Sequence, residues 1–287
     1  MKSPHRILMV WVGLAVFLAH EHSLPYSALA AEKHVATVQA NPGGVVRWAV
    51  AGTKRCAMNG RSWAALGEAC YYPVDLLQKP ALLEIGRWGD GPGDFAYISV
   101  NPYPYPTQNI DLGNIPQAAP SAEDLKRVWR DQAVLNKVWK RKTPRRFELP
   151  LGKPADPLPA PNDFGAKRVF NGKPASQPHT GADYPIPAGS TLMAVADGTV
   201  VVAEELFFPG NAVFIDHGDG LISMYFHLNE FKVKAGQEVK KGDPIGTVGS
   251  NGRSTGPHLH LGMRWHRARI DPQLLLDDPA KLPAVAP

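Results

Sequence analysis

Residues 249–260 read Gly249-Ser250-Asn251-Gly252-Arg253-Ser254-Thr255-Gly256-Pro257-His258-Leu259-His260, and the two histidines are the side chains best suited to chemistry. Gly256 and Pro257 punctuate the backbone, while apolar Leu259, Leu261 and Met263 at alternate positions mark a strand beginning there. Residues two apart in a strand face the same way, so His258 and His260 project side by side, about 7 Å apart at their origins. Two imidazoles on one face can share a metal centre, one as ligand and one in its outer sphere. An isolated His-x-His more often lies exposed on a sheet edge, but this pair has company. Far upstream stands His179-Thr180-Gly181-Ala182-Asp183. On a helix His179 and Asp183 would share a face. Gly181 between them, and Pro178, Pro185 and Pro187 around them, favour a loop or extended segment instead. Neutral imidazole and carboxylate both suit zinc, and a catalytic site needs three protein ligands with one position left for water. His179, Asp183 and one of the two later histidines supply that count.

With Tyr225-Phe226-His227-Leu228, these motifs resemble the lysostaphin-type (LytM-like) zinc endopeptidases that cleave peptidoglycan cross-bridges. The likeness runs from about Asp163 to Pro272 and takes in Ala196-Asp197-Gly198-Thr199-Val200, Ile215-Asp216-His217-Gly218 and the stretch from Gly236 to Gly246. The resemblance implies that His179, Asp183 and His260 bind Zn2+, while His227 and His258 do the catalytic work without being primary ligands. It also implies cross-link peptides of peptidoglycan as substrate, with a D-alanyl–diamino-acid link favoured over a glycine bridge. Asn251 departs from the Thr common in the family, without touching a ligand. Some relatives have lost ligands and act only as binding or activating proteins. The alternative function is therefore a non-catalytic wall-binding protein that recruits a separate hydrolase, and the five intact positions argue against it.

The elements that must position these groups follow from the rest of the chain. Its 287 residues suffice for two domains with separate cores. A hydrophobic content of 44% with 20% charged residues excludes wholesale disorder, and 28 prolines favour a β-rich protein. Lys2 and Arg6, the apolar run Ile7–Ala19 and Ala28-Leu29-Ala30 form an export signal over residues 1–30. The run is too short to span a membrane, so no stable insertion is expected after cleavage, and the mature protein is placed in the periplasm or outside the cell. In such an oxidising compartment the two cysteines, Cys56 and Cys70, are expected to pair.

Residues 31–120 alternate short apolar runs with Gly, Pro and Asn, as a small β-sandwich-like domain does; Val45–Val50 and Ala96–Val100 are its clearest strands. Residues 121–149 hold one connecting helix, with Ser121 and Asp124 as a capping pattern and Leu125, Val128, Trp129, Leu135 and Trp139 as an apolar stripe. Its many Lys and Arg residues could suggest nucleic acid, but an exported protein rarely meets it. Attraction to an anionic wall fits the compartment better, and no nucleic-acid partner is expected. A proline-rich linker over 150–161 precedes an all-β antiparallel-sheet metallopeptidase domain over 162–280, and 281–287 form a tail. The turn Val233–Asp243 also resembles those of lipoyl and biotin carriers, but such carriers need an exposed lysine at a hairpin tip, usually beside Met, and this turn has no Met-Lys pair. His217 reads as structural, and His266 suggests no role. A regulatory protein partner stays unspecified.

Overall fold

A computed structural model describes residues 35–286, so the export signal expected over 1–30 lies outside the described residues. Among the described residues no helix is long and apolar enough to cross a membrane. The chain is mainly β. From residue 181 onward, short strands between glycine turns satisfy their backbone groups in one antiparallel sheet. Its order is Gly181–Tyr184, Leu259–Trp265, Leu221–Phe231, Gly210–Asp216, Gly198–Leu206 and Glu238–Val239. Pro244–Val248 joins Leu221–Phe231 to Thr191–Met193, and Ala268–Ile270 flanks Leu259–Trp265.

Alternation gives this sheet two unlike faces. Leu259, Leu261, Met263 and Trp265 point into the main core with Leu221 and Tyr225. The intervening residues face the other way: His260 lies opposite Phe226, Gly262 opposite Met224 and Arg264 opposite Ile222. The helix Ala122–Val138 covers part of this second face, where Val138, Leu135 and Trp139 pack with Phe214, Ile222 and Met224. Ser121 and Asp124 close a full capping box at its start. Only part of the expected apolar stripe is used, since Leu125 and Trp129 remain 41% and 68% exposed.

The N-terminal part has a five-stranded sheet ordered Thr37–Ala40, Asp94–Val100, Ala81–Trp88, Arg55–Met58 and Arg61–Ala64. Cys56 and Cys70 are disulfide-bonded inside its core. Closing that short loop stabilises the fold by about 3 kcal/mol on the chain-entropy estimate. A two-stranded ribbon, Val45–Ala49 against Ala69–Pro73, lies between this core and the main one. Val46, Trp48, Cys70 and Tyr72 enter the smaller core, whereas Val45, Ala69 and Tyr71 enter the larger, where the Tyr71 ring lies 5.7 Å from that of Trp265.

Residues 150–161 run along the large sheet's domain instead of spanning open solvent. Leu151 and Ala155 are buried, because apolar side chains between the prolines find an apolar surface. The Leu151 and Gly152 N–H groups donate to the Leu275 and Val195 carbonyls at 2.8 and 2.7 Å. The C-terminal stretch likewise returns to the ribbon: Arg47 N–H donates to the Pro283 carbonyl, Val285 N–H donates to the Arg47 carbonyl, and Val285 enters the smaller core.

Candidate metal centre

In the sheet register Asp183 stands directly opposite His260, and Phe226 stands opposite His260 on its other side. Opposed residues share a face, so three neighbouring strands deliver the three side chains in a row. The Phe226 ring stacks on His260, with centroids 4.7 Å apart and planes 2° from parallel. His179 enters from the segment just before Gly181–Tyr184, its Nδ1 lying 3.0 Å from the Asp163 carbonyl. In the tautomer that donates Nδ1–H to this carbonyl, Nε2 keeps its lone pair; the Arg168 guanidinium, 3.1 Å from the same Nδ1, can bond that nitrogen only in the other tautomer.

His179 Nε2, His260 Nδ1 and Asp183 Oδ1 then form a triangle with edges of 2.8, 3.0 and 3.2 Å. With the His179 proton at Nδ1, its Nε2 faces Asp183 Oδ1 as acceptor to acceptor. A single hydrogen on His260 Nδ1 is all that neutral rings offer the three atoms. A divalent cation would satisfy all three at once, so the donor set fits a metal ion.

Two further histidines border the triangle. His258 lies just before the strand that starts at Leu259, with Nδ1 2.9 Å from the Gly256 carbonyl and Nε2 3.5 Å from Asp183 Oδ1. His227 follows Phe226, and plain alternation would turn it toward the main core. A left-handed φ of 65° re-aims it, leaving its ring 4.8 Å from that of His258. Such a conformation is uncommon for a side-chain-bearing residue and persists only when its surroundings fix it. Here the His227 N–H donates to the Pro209 carbonyl at 2.9 Å, and Nδ1 donates to the Asn251 carbonyl at 2.7 Å. His227 and His258, and His179 in the tautomer that donates to Asp163, are thus held through Nδ1–H, with Nε2 left as the acceptor.

Burial shapes the charges. It depresses His260 to about 4, and it depresses His227 to about 3 with help from the neighbouring His260 and His258. Burial also pulls His258 down, but the hydrogen bond and charge of Asp183 outweigh it, so His258 ends above its ordinary value. Burial pushes Asp183 up, yet the three imidazoles it faces, those of His179, His258 and His260, hold it well below the usual carboxylate range. An ionised Asp183 beside an uncharged His260 ring is the state metal binding requires.

Gly181 is essential to this packing, since a Cβ there would come within 2.5 Å of His260 Nε2 and 2.6 Å of the Leu261 carbonyl oxygen. Gly181→Ala is expected to weaken metal binding about 10- to 100-fold, comparable to losing a supporting partner of a ligand. Chelator competition measures this, and an unchanged affinity would show that the ring yields freely.

The structure brings all five expected residues together, and it adds Arg168, which the sequence left unmarked. Its guanidinium bonds Asp183 Oδ2, the oxygen outside the triangle, and lies 3.6 Å from Asp163. Nothing in the run Lys167-Arg168-Val169-Phe170 distinguishes this arginine by spacing. His217 stands apart on the core side, fully buried, donating to the Asp197 carbonyl at 2.8 Å and accepting from Ser223 Oγ at 2.7 Å. His266 stacks on Trp63, with centroids 4.2 Å apart. Two cavities meet at the cluster: one of about 470 Å³ bordered by Asp183 and His258, and one of about 120 Å³ bordered by His179, His227 and His260.

Residues 177–272 match the family described as Peptidase family M23. The chain is similar to peptidoglycan DD-endopeptidase ShyC of Vibrio cholerae, 39% identical over 110 residues, which are 38% of this chain and 25% of that protein. It is also similar to DD-carboxypeptidase/endopeptidase Mpg of Neisseria meningitidis, 44% identical over 94 residues, 33% of this chain and 22% of Mpg. The chain thus spans about a quarter of the length of these relatives. A crystal structure from Pseudomonas aeruginosa, described as a peptidase M23, superposes with a TM-score of 0.60 at 29% identity, over 82% of this chain and 93% of that one. Residues 177–272, which carry Asp183, His227 and His260 on the large sheet and His179 and His258 just before two of its strands, form a domain of peptidase family M23.

Proposed function

We propose that this chain is a zinc-dependent endopeptidase of the cell envelope that hydrolyses peptide cross-links of bacterial peptidoglycan. One observation carries the reading: a triangle of two imidazoles and a carboxylate, bordered by two more histidines whose Nδ1–H groups are committed to backbone carbonyls. His179, Asp183 and His260 would hold the ion, a set of three ligands typical of catalytic zinc. Zinc bound there supplies Lewis-acid polarisation of the scissile carbonyl and lowers the pKa of water. His227 and His258 each present Nε2 as a proton acceptor. The ring that takes the proton becomes an N–H donor, able to hydrogen-bond a developing oxyanion or return the proton to the leaving amine. Arg168 keeps Asp183 turned with Oδ1 toward the two ligand histidines. The cavities meeting at the cluster leave room for a peptide on either side of the cut, as an endopeptidase needs. The names of ShyC and Mpg support peptidoglycan as substrate and a DD-linkage as the bond.

Digestion of purified, defined cross-linked muropeptide dimers, followed by mass analysis, tests this reading. The dimer is expected to split into its two monomers, to stop splitting with a chelator, and to resume when zinc is restored. A dimer that survives zinc-loaded protein intact would leave the alternative of a wall-binding protein standing.

A further inference from the structure

The cleft holds a cation that the mechanism above does not use. The Arg253 guanidinium lies 4.4 Å from the Phe170 ring centroid and 4.6 Å from that of Phe208, so aromatic rings from two separate segments brace it. Its backbone is fixed as well: Arg253 N–H donates to the Phe208 carbonyl at 2.9 Å, and a Cβ on Gly252 would come within 2.3 Å of Gly210 N. The carboxylates on this side of the cleft, Asp163 and Asp183, are paired with Arg168. Among the described residues, Arg253 has no ion-pair partner. Burial, and then the charge of Arg168, bring it down to about 10, so it stays cationic at neutral pH. Arg253 borders both cavities that meet at the histidine cluster.

A partly buried charge without an ion-pair partner costs free energy, and the cost is recovered when an anion arrives. A guanidinium held between rings keeps its edge of N–H donors for a planar, two-oxygen acceptor. We propose that Arg253 binds a substrate carboxylate beside the scissile amide, and so selects cross-links with a free acid there over amidated or neutral ones. The inference rests on the endopeptidase reading and narrows its substrate class. In a link from a D-alanyl carbonyl to a diamino dicarboxylic acid, the carbon bearing the scissile nitrogen also carries a carboxyl group. A glycine bridge offers no such charge. Arg253 is thus a specificity-determining residue, separate from the groups that hold the ion or move protons.

Two matched cross-linked dimers test this, identical except that the carboxyl group beside the scissile amide is free in one and a carboxamide in the other. Hydrolysis of both by the zinc-loaded full chain is compared with calorimetric binding of the two corresponding amine-side monomers, which needs no turnover. The free acid is expected to bind and react about 10- to 100-fold better, the range for a hydrogen-bonded charged pair. Arg253→Ala should bring that ratio close to one. Arg253→Lys keeps an aliphatic stem between the two rings and a positive charge without the fork, so it should retain part of the preference. Equal binding of acid and amide to the wild type, or an equal loss for both ligands in Arg253→Ala, would overturn the proposal and make Arg253 a structural brace. A binding preference that Arg253→Ala removes, with neither dimer cleaved by the wild type, would uphold the carboxylate site and count against the endopeptidase reading.

Discussion

Alanine at His179, Asp183 or His260 is expected to empty the centre of metal and reduce hydrolysis to background. The three atoms lie within 3.2 Å of one another along the triangle's edges, so on the proposed reading each would be a direct donor whose loss leaves only two. Losing a partner that merely supports a ligand costs about 10- to 100-fold in metal affinity, and losing the ligand itself should exceed that range. Asp183→Asn is the sharper probe. It preserves size but removes the charge that draws in the cation and that Arg168 grips through Oδ2. Elemental analysis of protein with a native thermal melt gives the readout, and full zinc in all three alanine variants would refute the ligand set.

His227 and His258 should behave oppositely, keeping near-stoichiometric zinc while losing activity. Losing a proton-transfer group costs about 10²–10⁴ in rate, and losing an oxyanion donor about 10²–10³. Each alanine variant should therefore fall at least ~100-fold by those estimates. Because His227 has a φ of 65°, its replacement also risks relaxing the backbone. His227→Asn, a residue better tolerated there, separates loss of the ring from loss of the bend. The double variant should be little worse than the poorer single one, since on the proposed mechanism both rings would act on one transition state. If His258→Ala lost its zinc while His260→Ala retained it, the two assignments would have to be exchanged.

That His258 and His260 face the same groove was legible because strand alternation is a rule of period two, and the apolar Leu259, Leu261 and Met263 announce it; Asp183 joined them through ligand chemistry and the family resemblance, not through any local pattern. The direction of His227 was not legible. Alternation assigns it to the core, and only the backbone bend fixed by Pro209 and Asn251, residues distant in sequence, turns it round. The capping box at Ser121 was readable because it is local, whereas the exposure of Leu125 and Trp129 depends on which side of the helix meets the sheet. Residues 150–161 look like a spacer because prolines dominate them. Whether Leu151 and Ala155 find a surface to cover is a tertiary question that composition does not answer. Arg168 and Arg253 resemble many other surface arginines in sequence, and only their neighbours in space distinguish them.

The ribbon of Val45–Ala49 and Ala69–Pro73 makes the folding unit larger than the segment shared with the curated relatives. Its alternate side chains fill two cores at once, and residues 283–285 fasten to it from the far end of the chain. Removing everything before the proline-rich stretch would strip Val45, Ala69 and Tyr71 from the main core and leave Leu282 and Val285 without their setting. Inheritance can therefore treat the peptidase segment as a module that recurs among otherwise different proteins. In this chain, residues 35–286 are expected to unfold as one cooperative unit, so that a lesion at either end is felt beneath the sheet that carries the histidine cluster.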